Sequence, residues 1–305
     1  MAIHPIEFRY GTPEMKAVWT EEHRFRRIID AEVALAKAEA GCGMIPSEAA
    51  DAIETHAHTA SLIRAKEIED EIHHDMMAIV RAISEVCGDS ARWVHYGATS
   101  NDILDTATGL QLHDAISILD VKIRLLLHAL LDRSMETRRL VCIGRTHGQH
   151  GVPTTYGLRF AIWASEIGRQ IERLEQMTPR VCVGQMTGAV GTQAAMGEKG
   201  IEVQEAMMQF LGIGSVDVSN QVIQRDRYAE YFCFLANIAT TLDKIGIEIR
   251  SMQRTEIGEV EEAFGEKQVG SSTMPHKRNP IRSEQVCGLA RIVRSSVEPA
   301  FQNNT

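Results

Sequence analysis

The sequence lacks several features, and each absence narrows the reading. Its six cysteines (Cys42, Cys87, Cys142, Cys182, Cys233 and Cys287) form no Cys-x-x-Cys pair, and reduced thiols in a cytoplasmic protein are the simplest expectation. The opening residues, 1–11, hold no apolar run of leader-peptide length, and no stretch approaches the length of a membrane span, so neither export nor a membrane is expected. There is no excess of positive charge. Lys plus Arg is 32 against 41 Asp plus Glu, a net charge of −9, which argues against a nucleic-acid partner. An anionic small molecule would then need a local basic island, because the overall field repels it. No short internal repeat and no low-complexity tract occurs, and strand signals are weak, with only 181–183 reading as a short extended piece.

What remains is helix. The 305 residues, 44% of them apolar, suffice for a sizeable core. Thr12-Pro13 and Thr20 read as helix starts, the second helix running to about Ala40. Gly41, Gly43 and Pro46 break the chain, Ser47 opens a short helix, and 61–87 read as helical until Gly88-Asp89-Ser90. From about 101 to 139, Leu112, Ile116, Leu119, Ile123, Leu126 and Leu130 recur at alternating steps of four and three, the seam of one helix packing along another. Such a helix is about 55 Å long at 1.5 Å per residue. The segment 225–263 repeats the seam with Phe232, Leu235, Ala239, Leu242, Gly246 and Ile249, where Gly246 permits close approach of a neighbour. Residues 155–177 form a third long stretch, stopped at Thr178-Pro179. Three such helices predict an all-α, elongated long-helix bundle. The division expected is an N-terminal helical domain at 1–94 and a long-helix domain at 95–305.

Four stretches carry chemistry. The first, Gly270-Ser271-Ser272-Thr273-Met274-Pro275-His276-Lys277-Arg278-Asn279-Pro280, has a backbone whose N–H groups can converge on an anion. Between Gly265 and Arg294, six basic residues (Lys267, Lys277, Arg278, Arg282, Arg291, Arg294) face two acidic ones (Glu266, Glu284). The plain alternative is a solvated polar loop. In the second, residues 144–150, His147 and His150 stand three apart, yet Gly148, Pro153 and the lack of a neighbouring acidic or Cys ligand argue against metal. An acid or base in a glycine-containing turn, or a hydrogen-bonding loop histidine, fits better. The third runs from His95 to Asp102, where Thr99, Ser100 and Asn101 are helix caps or the holders of a carboxylate or phosphate. The fourth, His73-His74-Asp75, is read within a helix, where adjacent side chains point apart. Gly188–Thr192 lacks the Gly-Lys-Ser/Thr ending of a phosphate loop.

The fixed order of Gly, Ser, Ser, Met, Pro, Lys, Asn and Pro across 270–280 resembles the signature of the fumarase/aspartase superfamily, and 144–157 and 95–107 resemble its two other conserved regions. Within it the details resemble the adenylosuccinate lyases. His276 stands where fumarases and aspartases typically have Gly, Arg9-Tyr10 resembles a nucleotide-phosphate site, and His73-His74-Asp75 and Gln221 match further substrate contacts. The resemblance implies elimination of fumarate from adenylosuccinate and from the succinyl carboxamide ribotide of purine synthesis, with no metal or organic cofactor. It implies Ser271 as base and His147 as acid. Lys277, Asn279, Thr99 and Ser100 would hold the carboxylates and Arg9 and Tyr10 the phosphate, with His74 orienting substrate or supporting His147 and the 265–280 loop closing over the site. It further implies a homotetramer whose sites are shared between subunits. The superfamily continues beyond the signature with more substrate-binding residues and a third helical domain, and only about 25 residues follow Pro280 here, so an incomplete bundle is expected. Rival readings are a sister lyase of argininosuccinate or carboxymuconate type, and a non-catalytic helical scaffold.

Overall fold

A computed structural model describes residues 6–274 and 276–304; Pro275 of the signature lies outside them. Among the described residues the chain is mostly helical. In order, the helices are α1 (Ile6–Arg9), α2 (Pro13–Val18), α3 (Glu21–Gly41), α4 (Ser47–His56), α5 (Leu62–Ile72), α6 (Asp75–Val86) and α7 (Ser100–Glu136). The strands β1 (Val141–Thr146) and β2 (Gln149–Thr155) precede α8 (Tyr156–Val181), β3 (Val183–Gly184), α9 (Gly200–Leu211) and β4 (Gly214–Ser215). The chain continues as α10 (Asp226–Met252), α11 (Ile281–Ser295) and α12 (Val297–Gln302). No described helix is long and apolar enough to cross a membrane.

The chain groups into two compact units, each discontinuous in sequence: residues 1–119 with 178–224, and 120–177 with 225–305. In the first, α3 packs on α4 and α9, and α5 on α6. Thr20 caps α3 by accepting from His23 N–H, as its sequence position predicts. The core gathers Phe25, Ile28, Ile29, Leu35, Ile53, Met76, Ile83, Ile103, Met186, Val203 and Met207. β3 lies so close to α7 that a Cβ on Gly109 would fall onto the Val183 carbonyl. The Thr106 hydroxyl donates to Gln185 O and accepts from Gln185 N–H.

In the second unit Ile123 and Leu130 of the α7 seam are buried. Of the seam expected on α10, Ala239 and Gly246 are buried but Phe232, Leu235, Leu242 and Ile249 are half-buried, and Tyr231, Phe234 and Ile238 take the inner positions instead. Gly246 does admit a close neighbour: a Cβ there would stand 3.0 Å from Cys287 Sγ and 3.2 Å from Ser283 O of α11. Helices α8 and α10 are joined by Gln170, which donates to Asn237 and Thr241, and by the Lys244–Glu166 ion pair.

The structure corrects several expectations. The 61–87 stretch is two helices, broken where His73 takes a left-handed conformation (φ 53°) and His74 accepts from Met77 N–H to cap α6. Hence His73-His74-Asp75 is a helix junction and not a helix interior. Helix α8 runs past Thr178-Pro179 to Val181; a proline in the last turn removes one N–H without blocking the turns before it. Helix α10 ends at Met252 rather than near 263, because Glu259 N–H bonds back to Met252 O around Gly258 (φ 59°). Residues 141–155 form an antiparallel hairpin where the sequence suggests only a turn within 144–150.

Candidate active site

The hairpin places His147. Strands β1 and β2 pair with Thr146 opposite Gln149, leaving a two-residue loop of His147 and Gly148. Both loop residues have positive φ, 53° and 73°, the type I′ geometry whose twist matches the flanking strands. The imidazole is exposed at the tip, in position to give or take a proton.

The chain from Gln253 to Pro280 is irregular yet tied down at three carboxylates within four residues. Glu259 pairs with Arg145, two residues before the hairpin tip, at 2.5 Å, and accepts from the Tyr156 hydroxyl at 3.2 Å. The Arg145 hydrogen bond holds the Glu259 carboxyl below its usual range. Glu261 pairs with Arg278, whose guanidinium also lies over the Phe264 ring. Glu262 accepts from Arg282 N–H, Ser283 N–H and the Ser283 hydroxyl. Burial pushes the Glu262 carboxyl up, but these donors outweigh it and leave it lowered. Pro280, at the N-cap position of α11, has no side-chain acceptor, so Glu262 caps that helix from a distance.

Within this frame Ser271 Oγ accepts from two backbone N–H groups, those of Thr273 (3.3 Å) and Met274 (3.1 Å). Donors converging on a hydroxyl oxygen favour its anionic form. Asn279 Nδ2 donates to Gly270 O at 3.2 Å, and the turn is so tight that a Cβ on Gly270 would overlap the Lys277 carbonyl. Lys277 and Asn279 line one cavity of about 710 Å³. Its amine has neither ion pair nor side-chain hydrogen bond among the described residues.

The other residues singled out in the sequence belong to the first unit. Thr99 and Ser100 stand at the start of α7, where buried Asp102 accepts from the N–H groups of Thr99, Thr187 and Gly188. Burial raises the Asp102 carboxyl against those three donors. His95 carries φ 62°, and both its ring Nδ1 and its backbone N–H bond to buried Glu32. His73, His74 and Asp75 are exposed at the α5–α6 junction. Arg9 and Tyr10 end the short N-terminal helix, steadied where Lys16 Nζ donates to Glu7 O at 2.6 Å. Gln221 keeps an exposed side chain while its carbonyl accepts from Gln185. Among the described residues no cluster of three His, Cys, Asp or Glu side chains is arranged to hold a metal.

The sequence analysis assigns no role to Glu259, Glu261 and Glu262, to Arg145 within the 144–150 stretch, or to Arg250 at the end of α10 and Arg254 just past it. For the glutamates a signal exists: an acidic Glu259-Val260-Glu261-Glu262 run directly before a basic stretch in a chain short of positive charge.

A helical chain with a serine, lysine and asparagine on one glycine-pinned loop and an exposed histidine on a pinned hairpin is equipped for acid–base elimination on an anion. In keeping with this, residues 7–294 match the lyase family model, and the chain belongs to that family. Among its relatives, the adenylosuccinate lyase of Methanothermobacter thermautotrophicus is 57% identical across the whole of this chain, which covers 69% of that protein. That of Pyrococcus abyssi is 55% identical, again over the whole chain and 68% of the relative. Among solved structures, the 3-carboxy-cis,cis-muconate lactonizing enzyme of Pseudomonas putida superimposes with a TM-score of 0.88 at 32% identity, covering 98% of this chain and 68% of that one.

Proposed function

We propose that this chain is a carbon–nitrogen lyase that eliminates fumarate from adenylosuccinate, giving AMP, and likewise from the succinyl carboxamide ribotide of purine synthesis. The observation that carries the reading is identity at more than half the residues, over the whole of this chain, to adenylosuccinate lyases. The muconate-type enzyme shares the fold at much lower identity.

Ser271 acts as the base. As its alkoxide, stabilised by the Thr273 and Met274 N–H groups, it takes a proton from the succinyl carbon next to a carboxylate. The electron pair passes into that carboxylate and then forms the new C=C bond as the neighbouring C–N bond breaks. His147 gives a proton to the leaving nitrogen. Lys277 and Asn279, with Thr99 and Ser100, hold the carboxylates. Arg9 and Tyr10 hold the phosphate, and His73, His74, Asp75 and Gln221 orient the substrate. No cofactor takes part, because the carboxylate itself delocalises the charge.

In this reading 1–94 is the N-terminal helical domain and 95–305 belongs to the long-helix domain of a cytoplasmic homotetramer with shared sites. Exposed Val121, Leu125 and Met135 on α7 and Leu158 and Ile162 on α8 support an assembly, since apolar surface of this kind calls for a cover.

The test is the ultraviolet absorbance change when adenylosuccinate is added, with argininosuccinate and 3-carboxymuconate alongside. Turnover of adenylosuccinate alone, reduced about 10²–10⁴-fold in Ser271→Ala, is the expected result. Turnover of another substrate instead, or of adenylosuccinate undiminished in Ser271→Ala, overturns the reading.

A further inference from the structure

The cavity lined by Lys277 and Asn279 has a second wall that the proposed mechanism does not use. It comes from the end of α10 and the turn that follows it, where Arg250, on the last helical turn, and Arg254, two residues past Met252, line the same space. With Lys277 and Arg278 they make four cationic side chains around the cavity against a single carboxylate, Glu284. Arg278 is neutralised by Glu261. Arg254, by contrast, makes no ion pair or side-chain hydrogen bond among the described residues, and its side chain is exposed. Arg250 has only the weak acceptor Cys287 beside it.

An arginine near a helix C-terminus is ordinarily explained by the helix dipole and by donation to the last carbonyls. That explanation does not serve Arg254: the Gln253 N–H and Glu259 N–H groups close the end of α10 through the backbone, and the Arg254 guanidinium takes no part. In a chain of net charge −9, unpaired guanidinium and ammonium groups around one cavity are an uncommon concentration of positive potential. Guanidinium groups pair with carboxylate and phosphate oxygens in a two-pronged geometry.

We propose that Arg250 and Arg254, together with Lys277, form an oxyanion-binding site for a small dianion, a C4 dicarboxylate or a phosphate group, in this cavity at the end of α10. This rests on the proposed function for its physiological ligand, the substrate's own anionic end, but not for the binding itself. The two arginines are thereby substrate-positioning residues that share the cavity with Lys277 and Asn279.

The experiment is titration calorimetry of the chain with fumarate, with inorganic phosphate and with uncharged fumaramide, at low and high salt. It is repeated on Arg254→Gln, Arg250→Gln and, as a charge control, the exposed and distant-in-sequence Arg173→Gln. Circular dichroism melting establishes that each variant is folded. The expected result is binding of fumarate or phosphate but not fumaramide, weakened by salt and weakened about tenfold or more in Arg254→Gln, with Arg173→Gln unchanged. The preferred anion identifies which end of the substrate the site takes. No anion binding by the folded chain, or equal binding in Arg254→Gln, Arg250→Gln and the control, overturns the proposal. Failure here is distinct from failure of the proposed function. Adenylosuccinate turned over with an unchanged KM in both arginine variants removes the site and leaves the lyase. Anion binding lost in Arg254→Gln without adenylosuccinate turnover keeps the site and removes the lyase.

Discussion

At the residue scale, the most unusual side chain is outside the proposed chemistry. Glu39 of α3 is fully buried, and neither carboxylate oxygen has a hydrogen-bond partner. Burial, reinforced by nearby Glu32, pushes its pKa up to about 9. The folded chain therefore keeps a proton that the unfolded chain loses near the ordinary value of 4.5. Stability contributed by this group is complete below about 4.5 and is lost as pH rises towards about 9. His95 works in the same sense: burial lowers its pKa, but Glu32 outweighs that and holds it raised, so their pairing weakens with rising pH. Replacing Glu39 by Gln should flatten the decline and stabilise the fold at pH 9 by ~1 kcal/mol or more. Urea unfolding at pH 6 and pH 9 measures it, and parallel pH slopes for both proteins would exclude Glu39 as the source. Nothing in the sequence marks Glu39, since burial without a partner leaves no pattern. Ser271, Lys277 and Asn279 stand out in the sequence because a fixed order of special residues shows without geometry.

At the scale of elements, the long helices were readable wherever a seam ran unbroken, as along Leu112, Ile116, Ile123 and Leu130 of α7. The end of α10 was not. Residues 254–263 contain good helix formers (Arg254, Glu256, Glu259, Glu261), and what unwinds them is tertiary: each of Glu259, Glu261 and Glu262 has a cationic or N–H partner that a helix would pull away. Those three contacts make separable predictions. Glu259→Gln should speed hydrogen exchange in the 141–155 hairpin, while Glu262→Gln should speed it at the first turn of α11, each leaving the other segment near its original rate. Identical exchange maps for the two variants would mean that the loop responds as one block. The hairpin itself escaped the sequence reading because β1 and β2 are short, and Gly144, Gly151 and Pro153 mask any alternation.

For the whole molecule, fold class and family followed from sequence, but the grouping into compact units did not. Each unit draws on two distant stretches, and α7 contributes to both, an arrangement that no local composition shift announces. The exposed apolar residues on α7 and α8 belong to this scale. Light scattering behind size exclusion should report an assembly of four chains. Leu125→Glu with Val121→Glu should shift it towards smaller species and, with sites shared between subunits, reduce turnover in proportion. A monomer at all concentrations would remove the shared-site model.

Four described residues other than glycine hold a left-handed backbone, and three are histidines: His73, His95 and His147. Each sits in one of the stretches that sequence reading marked for chemistry. A left-handed conformation costs a side-chain-bearing residue about 1–2 kcal/mol, and asparagine or glycine would relieve some of it at any of the three. The chain thus holds, at three separate turns, stability that a simple exchange would recover. Selection for a more durable protein would find these positions early and lose an imidazole each time, so a heat-hardened variant and a working one should part company at these turns.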